Sequence, residues 1–286
     1  MLLFVSTALA FVDPACLDDS GNLIQEPALV EEGQANFLQN YPALSTSFSS
    51  IHAPVPHDPG TGSIGVEVFG IPPLDCSRRL VLSGTKTEDT NKTPAAPRFR
   101  LSFAMPQIGP AIVYGTVGYV PPVTVAGTRN VILSGEVGVG IPMESGASVG
   151  LRYHHTLQKT VGEIATPFNE GDPAYDDFYS AATLGADLLV GYDLGKVEPY
   201  LSVGIQDVST FFVIADDAFL ANNTAPYLGM TTGLGAQATV MEKVQLGGEV
   251  HAALPSFNAD KRALGSAHVV TGRVLLAYVF GAGEES

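Results

Sequence analysis

The sequence predicts an all-β fold, a transmembrane antiparallel up-and-down β-barrel of about ten strands, within a range of roughly eight to twelve. Three observations support this fold class. Apolar and polar residues alternate with a period of two through most of residues 63–280. Many of the alternating segments reach ten residues or more, which matches the roughly 9–11 residues that a strand needs to cross a bilayer. The connections between the segments alternate in length.

The alternation separates an apolar face from a polar, glycine-rich face in each segment. Within residues 130–142, for example, Val131 and Val137 share one face, whereas Glu136 lies on the other. Glycine weakens an exposed strand, so its repeated presence on the polar face indicates a crowded interior. The predicted strands cover residues 63–71, 98–106, 111–122, 130–142, 147–157, 178–194, 197–210, 225–240, 244–254 and 268–280.

Short and longer connections follow each other without exception in this assignment. The short ones are residues 107–110, 143–146, 195–196 and 241–243, and the longer ones are 72–97, 123–129, 158–177, 211–224 and 255–267. Bacterial membrane barrels have an even number of strands, short periplasmic turns and long external loops. The pattern therefore predicts that both chain termini lie in the periplasm.

Composition excludes several other classes. The formal net charge is −15, hydrophobic residues make up 45% of the chain and charged residues only 15%, against about 25% charged residues in soluble domains. An acidic chain is a poor partner for nucleic acid, because phosphate binding depends on Lys and Arg. The sequence has no apolar run of about 18 residues, the length that a membrane-spanning helix needs.

The chain divides into four predicted parts. Residues 1–12 (MLLFVSTALAFV) have the apolar core and the Ala8-x-Ala10 pattern of a signal peptide, although no Lys or Arg precedes Arg78. The other interpretations are a misplaced start codon and a buried N-terminal strand. Residues 13–62 form a predicted acidic, Pro/Gly/Ser-rich periplasmic leader, in which residues 29–38 could be helical. The barrel follows over residues 63–280, with residues 281–286 as a tail.

The two cysteines leave alternatives open. Cys16 and Cys76 could form a disulfide in an oxidising compartment, or they could remain unpaired as small hydrophobic residues. Lipidation of Cys16 is the third alternative, and the preceding Asp13-Pro14-Ala15 fits it badly.

The polar face, taken as inward, gives the barrel a charged lumen. Acidic and basic side chains are present there in similar numbers, so they could pair and fill the interior or line a narrow polar pore. The predicted lumen-lining residues are Glu67, Arg98, Arg100, Glu136, Arg152, His154, Asp187, Glu198, Glu249, His251 and Arg273.

Aromatic residues near the strand ends are candidates for the girdles that flank a membrane barrel. Ordinary packing is the alternative explanation for each of them. The candidates are Tyr114, Tyr119, Tyr153, Phe178, Tyr192, Tyr278 and Phe280.

No motif predicts an enzyme, a metal site or a cofactor. Residues 146–150 match Gly-x-Ser-x-Gly, but a nucleophile elbow requires a strand before it and a helix after it, whereas a predicted strand follows this match. His154 and His155 are adjacent on a strand and therefore point to opposite faces. They cannot hold one lumenal metal ion together.

Two strands and the C-terminal segment resemble small porin-like bacterial outer-membrane β-barrel proteins. The run Val197-Glu198-Pro199-Tyr200-Leu201-Ser202-Val203-Gly204 is similar to their x-P-Y-x-x-x-G strands, and Pro226-Tyr227-Leu228 repeats its core. The last strand ends on Phe280, as such barrels end on an aromatic residue, but residues 281–286 follow it here.

The resemblance implies a location in the outer membrane, with lipid and lipopolysaccharide as partners. The leading expectation for function is porin-like passage or binding of small polar solutes. The alternative is a non-conducting structural barrel that anchors an envelope-spanning motility or secretion complex, with residues 13–62 as its docking arm. A soluble extracellular β-sandwich is a third interpretation, because sandwich strands also alternate.

Overall fold

The computed structural model describes residues 13–22, 24, 31–81, 86–87, 93–125, 127–167, 172–173, 175–214, 219–221, 223–257 and 268–281. The predicted signal peptide at residues 1–12 and residues 282–286 of the predicted tail lie outside this range.

Ten strands form one closed antiparallel barrel, which confirms the predicted fold class. Each strand pairs with its sequence neighbours, and the first closes on the last, with Gly62 opposite Phe280. All ten predicted strands are present. They are β1 (Gly62–Gly70), β2 (Ala95–Ala104), β3 (Ile112–Val125), β4 (Thr128–Pro142), β5 (Ala147–Gly162), β6 (Asp177–Tyr192), β7 (Val197–Ile214), β8 (Tyr227–Met241), β9 (Val244–Ser256) and β10 (Val269–Phe280).

Side chains alternate between the outside and the inside of the barrel, as the sequence predicts. In β6 the odd-numbered residues, among them Thr183 and Asp187, are buried inside. The even-numbered Leu184 and Leu188 are exposed on the outer surface. The outer face is thus apolar, and the inner face carries the polar side chains.

The predicted alternation of connection lengths fails at one place. Only residues 126–127 join β3 to β4, and Gly127 adopts a φ of +81° in this tight turn. The predicted strand ended at residue 122, whereas β3 continues to Val125 even though Pro121 and Pro122 lack the N–H that a strand ladder needs. A bulge between Val120 and Val123 accommodates both prolines, and the hairpin continues beyond them.

Outside the barrel strands, the described residues form short helices and short strands. Helix α1 (Glu31–Thr46) contains Pro42, and α2 (Cys76–Arg79) lies in the long connection between β1 and β2. A 3-10 helix covers Pro14–Cys16. Leu80–Val81 pairs with Lys86–Thr87, and Phe219–Ala221 extends β7. None of the helices among these residues is both long and apolar enough to span a membrane.

Residues 31–61 occupy the barrel instead of forming a leader outside it. Helix α1 lies at the end of the barrel that carries the long connections, where the Asn36 side chain hydrogen-bonds Thr224. Residues 47–61 then run along the lumen to the opposite end, and Phe48 and Ile51 are completely buried. This placement differs from the predicted leader, and the lumenal charges described below give its physical reason.

The two ends of the described chain lie at opposite ends of the barrel. Asp13 hydrogen-bonds Thr87 in the long connection between β1 and β2. Gly281 lies beside Gly60 at the short-turn end. The sequence predicted one side for both termini because it gave no sign that the chain passes through the lumen.

Candidate functional site

All eleven predicted lumen-lining residues lie on the inner face of the barrel. Ten of them are at most 5% exposed. Glu198 is partly buried near the short-turn end, where Ser148 Oγ donates a 2.9 Å hydrogen bond to its Oε1. The wall of the lumen is therefore charged, and its charged side chains are almost inaccessible to solvent.

One charge cluster is centred on Glu67 of β1. Its carboxylate lies 2.8 Å from Arg100 Nε, 3.4 Å from Arg98 Nη1 and 3.6 Å from Arg273 Nη1. Strand pairing places Arg98 directly opposite Glu67 on β2 and brings β10 to its other side. One buried carboxylate thus faces three guanidinium groups.

A second cluster is centred on Arg152 of β5. Its Nη1 donates to Glu136 Oε2 at 2.6 Å, and its Nε donates to Asp187 Oδ2 at 2.7 Å. His154 Nε2 lies 3.3 Å from the same Asp187 oxygen. These residues come from β4, β5 and β6, so the cluster crosses three adjacent strands.

The four lumenal arginines also bind the backbone of the segment inside the barrel. Arg100 donates to the carbonyl oxygens of Ser49 at 2.6 Å and Ser50 at 2.8 Å. Arg152 Nη2 donates to the carbonyl of Phe48 at 3.2 Å. Two further bonds run from Arg273 Nη1 to Ser47 O and from Arg98 Nη2 to Thr46 O. Five consecutive carbonyl groups, those of residues 46–50, are therefore bound by wall arginines.

The side chain of Phe48 lies between two of these arginines. The guanidinium carbon of Arg100 is 4.0 Å from the centre of the ring, and that of Arg98 is 5.3 Å away. Cation–π contacts of this kind are most favourable where water is excluded. Phe48 therefore adds a side-chain contact to the carbonyl interactions.

Acidic side chains of the wall bind residues 50–52 of the segment. Glu249 Oε2 accepts hydrogen bonds from Ile51 N at 3.1 Å and Ser50 Oγ at 2.9 Å. His52 Nε2 lies 2.9 Å from Glu136 Oε1. The sequence singled out both glutamates as lumen-lining residues but not their partners on the segment.

Two glutamines that the sequence analysis missed complete the binding surface. Gln237 and Gln245 each donate from Nε2 to the carbonyl of Pro56 at 3.1 Å. Gln237 Oε1 also accepts from Ala53 N at 3.2 Å. Their inward positions were readable from the alternation, but uncharged residues gave no further signal.

Glycines on the inner face leave room for this segment. A Cβ atom added at Gly247 would lie 2.6 Å from the carbonyl oxygen of Ile51. A Cβ at Gly140 would overlap the carbonyl of Pro54. The crowded interior that the glycine pattern predicted is thus created by the chain itself.

A disulfide joins Cys16 to Cys76 and holds the N-terminal residues at the long-loop end. Asp13 Oδ2 also accepts a 2.8 Å bond from Arg79 Nη2. The backbone N–H of Ala15 and the Arg79 guanidinium together hold the pKa of the Asp13 carboxyl below its usual value. Residues 13–22 are therefore attached to the connection between β1 and β2.

We expect replacement of both cysteines by serine to loosen this attachment without opening the barrel. The bond closes a loop with a sequence separation of 60 residues, a constraint worth about 4 kcal/mol in the chain-entropy description. Hydrogen exchange should accelerate in residues 13–22 and 71–79 and stay unchanged in β1–β10. Reductant added to the unsubstituted chain should have the same effect, and unchanged exchange in both samples would contradict the prediction.

One of the seven aromatic girdle candidates faces the interior. Tyr114 is 1% exposed and lies inside the barrel. Strict alternation along β3 places Tyr114 and Tyr119 on opposite faces, so both could not belong to a girdle. The other six candidates, which point outward, are Tyr119, Tyr153, Phe178, Tyr192, Tyr278 and Phe280.

The Gly-x-Ser-x-Gly match lies where a strand begins. Ser148 is the second residue of β5 and hydrogen-bonds Glu198, so no strand–turn–helix elbow surrounds it. Within the described part of the chain, no group of three or more His, Cys, Asp or Glu side chains could hold a metal ion.

The outer surface of the barrel is apolar around its circumference. Six aliphatic side chains on six different strands are each between 53% and 60% exposed: Ile64, Leu101, Val137, Leu151, Leu188 and Val274. A closed antiparallel barrel leaves no unpaired strand edge, and it is the β-structure that hydrocarbon tolerates. The fold and surface thus define a transmembrane β-barrel of the bacterial outer-membrane class.

Solved barrels of that class resemble this chain at low sequence identity. The translocator domain of autotransporter NalP from Neisseria meningitidis is 12% identical, with a TM-score of 0.42, over 78% of this chain and 90% of that one. The Pseudomonas putida toluene transporter TodX is 10% identical, with a TM-score of 0.36, over 86% and 76%. Neisserial surface protein A is 10% identical, with a TM-score of 0.33, over 78% and 97%. No family model matches the chain, and the search of curated proteins finds no relative.

Proposed function

We propose that this protein is an integral outer-membrane barrel whose pore is closed by its own residues 31–61. The observation that supports this proposal is the binding of five consecutive carbonyl groups, residues 46–50, by four arginines of the wall. Steady porin-like passage would require a free lumen, and this segment occupies the lumen of the described structure. The non-conducting alternative is therefore the better supported of the two predicted functions.

The chemistry of the contacts supports a firmly seated segment. A hydrogen bond to a charged group contributes about 1.5–3 kcal/mol where the partners are buried. Withdrawal of the segment would also expose guanidinium and carboxylate groups that it covers, including Arg100 and Glu249. Those groups would then need water, so the segment can leave only if the lumen hydrates.

The second candidate function is passage of small polar solutes. The solutes would pass either beside the segment or through the lumen after the segment is displaced. Both side-chain amide atoms of Gln206, the hydroxyl of Thr183 and Nδ1 of His251 are buried and have no hydrogen-bond partner among the described residues. Buried polar groups without protein partners are usually hydrated. These four atoms are positions in the lumen where water would bind, and they are the observation that favours the second candidate.

The proposed membrane partners are outer-membrane lipid and lipopolysaccharide, which the apolar outer surface would contact. Docking of an envelope complex through the leader stays a prediction. Residues 31–61 lie inside the barrel and are bound there, so a docking arm would have to use residues before 31.

Planar-bilayer recording of the full chain tests the proposed function. The folded barrel, recognised by heat-modifiable migration on a gel, is expected to insert without producing regular single-channel steps. Inserted protein can be counted independently by a fluorescent label on residue 144, since Glu144 is exposed in a short turn. Stable conductance steps from every inserted molecule would reject the closed barrel and favour steady passage.

A further inference from the structure

A cavity of about 300 Å³ lies between α1 and the barrel wall at the long-loop end. Leu38 and Pro42 of the helix form one side, and Phe69, Ile132 and Phe212 of the strands form the other. Ile71, Leu74 and Ile164, which follow β1 and β5, extend the apolar lining toward the long connections. We propose that this cavity binds a small neutral apolar molecule, at a site that adjoins the carbonyl contacts that close the pore and shares Thr46 with them.

The size and chemistry of the lining define the ligand class. An apolar protein cavity of about 150 Å³ accepts one benzene molecule. A cavity of about 300 Å³ is therefore large enough for a molecule of roughly eight to twelve non-hydrogen atoms. Among the described residues that line it there is no Lys, Arg or His, and Glu163 is the one acidic side chain. An anion would find no counter-charge among these residues, and Glu163 already interacts within the protein, so a neutral ligand fits the lining best.

A polar strip on one wall leaves room for a single hydroxyl group on the ligand. Thr46 Oγ1 donates to Gln158 Oε1 at 2.7 Å, Gln158 Nε2 donates to Thr160 at 3.1 Å, and Thr160 donates to Asn130 Oδ1 at 2.6 Å. These side chains satisfy one another and do not require a charged partner. A hydroxyl group of the ligand could accept or donate a hydrogen bond at the end of this row of polar side chains. The rest of the ligand would then contact the apolar wall.

The absence of tryptophan from the sequence gives a direct test. In the full chain, Phe212→Trp places a single tryptophan in the cavity, beside Tyr179, whose ring centre lies 6.1 Å from that of Phe212. The probe is 6-bromohexan-1-ol, a contact quencher of indole fluorescence with eight non-hydrogen atoms. Leu188→Trp is the control reporter, because Leu188 is on the outer surface.

We expect saturable quenching of the Phe212→Trp reporter and quenching that only rises linearly with probe concentration for Leu188→Trp. Quenching by 6-bromohexanoate should need at least tenfold more probe, because the lining has no cation. Adding Ala35→Leu to the reporter should weaken the alcohol at least tenfold by filling the cavity, whereas Ala186→Leu on the outer surface should change nothing.

Linear quenching of both reporters, or saturable quenching that Ala35→Leu leaves unchanged, would overturn the proposal. If Phe212→Trp does not give the heat-modifiable band, Ile164→Trp is a second reporter at the cavity. The fluorescence titration does not depend on conductance, so its failure would leave the closed-barrel proposal untouched.

Discussion

A chain that lacks residues 13–57 is expected to form an open pore, whereas the full chain stays closed. Strands β1–β10 complete the barrel without help from the deleted residues, since β1 pairs with β2 on one side and β10 on the other. Removal of the segment leaves the lumenal arginines and glutamates lining a water-filled channel. Recording in planar bilayers should change from no regular steps to steps of uniform size.

The variant with Cys16→Ser and Cys76→Ser is the matched control for this deletion. It releases the N-terminal residues from the connection between β1 and β2 but keeps residues 31–61 and their contacts in the lumen. We expect it to stay closed. The closed-barrel proposal fails if the deleted chain gives the heat-modifiable band, inserts into the bilayer and still conducts nothing.

Replacing Glu67 by glutamine is expected to cost about 3–5 kcal/mol of folding free energy, the usual effect of removing one partner from a buried ion pair. Glu67 is completely buried and is the carboxylate that Arg98, Arg100 and Arg273 share. Glutamine keeps the shape and part of the hydrogen bonding but leaves three like charges together. The change in folding free energy between this variant and the unsubstituted chain is obtained from urea unfolding curves, in which loss of the heat-modifiable form reports unfolding.

Glu144→Gln is the control for the charge change, because Glu144 is exposed in the turn between β4 and β5. Its urea midpoint should match that of the unsubstituted chain. An effect of Glu67→Gln below about 1 kcal/mol, the value typical of exposed ion pairs, would mean that water already screens this cluster.

The barrel was readable from the sequence because the information is local. A strand that faces lipid on one side must alternate residue by residue, so residues 177–192 alone indicate both faces of β6. The predicted strand bounds were wrong where the local sequence is compatible with two structures. The predicted third strand ended three residues early, and the continuation of β3 beyond Pro121 and Pro122 depends on a bulge against the partner strand β4.

The positions of the lumenal charges were predicted, but their partners were not. Inward orientation of Arg152 follows from the alternation, whereas its contact with Asp187 depends on the register between β5 and β6. Residues 29–38 were predicted as a possible short helix, whereas α1 begins at Glu31 and extends to Thr46. The additional turns lie in the barrel mouth, where packing overrides the low helical preference of Pro42.

Side-chain periodicity encodes which way each residue points, and for that reason the sequence predicted an apolar-faced barrel of about ten strands with a charged interior. The position of residues 31–61 inside the barrel follows from the folded structure and from no local pattern in the sequence. The wall arginines bind backbone carbonyl groups, which every residue carries, so no pattern of side chains marks residues 46–50 as their partners. The arginines also lie far along the chain from these carbonyl groups, so no local sequence pattern could predict the contact.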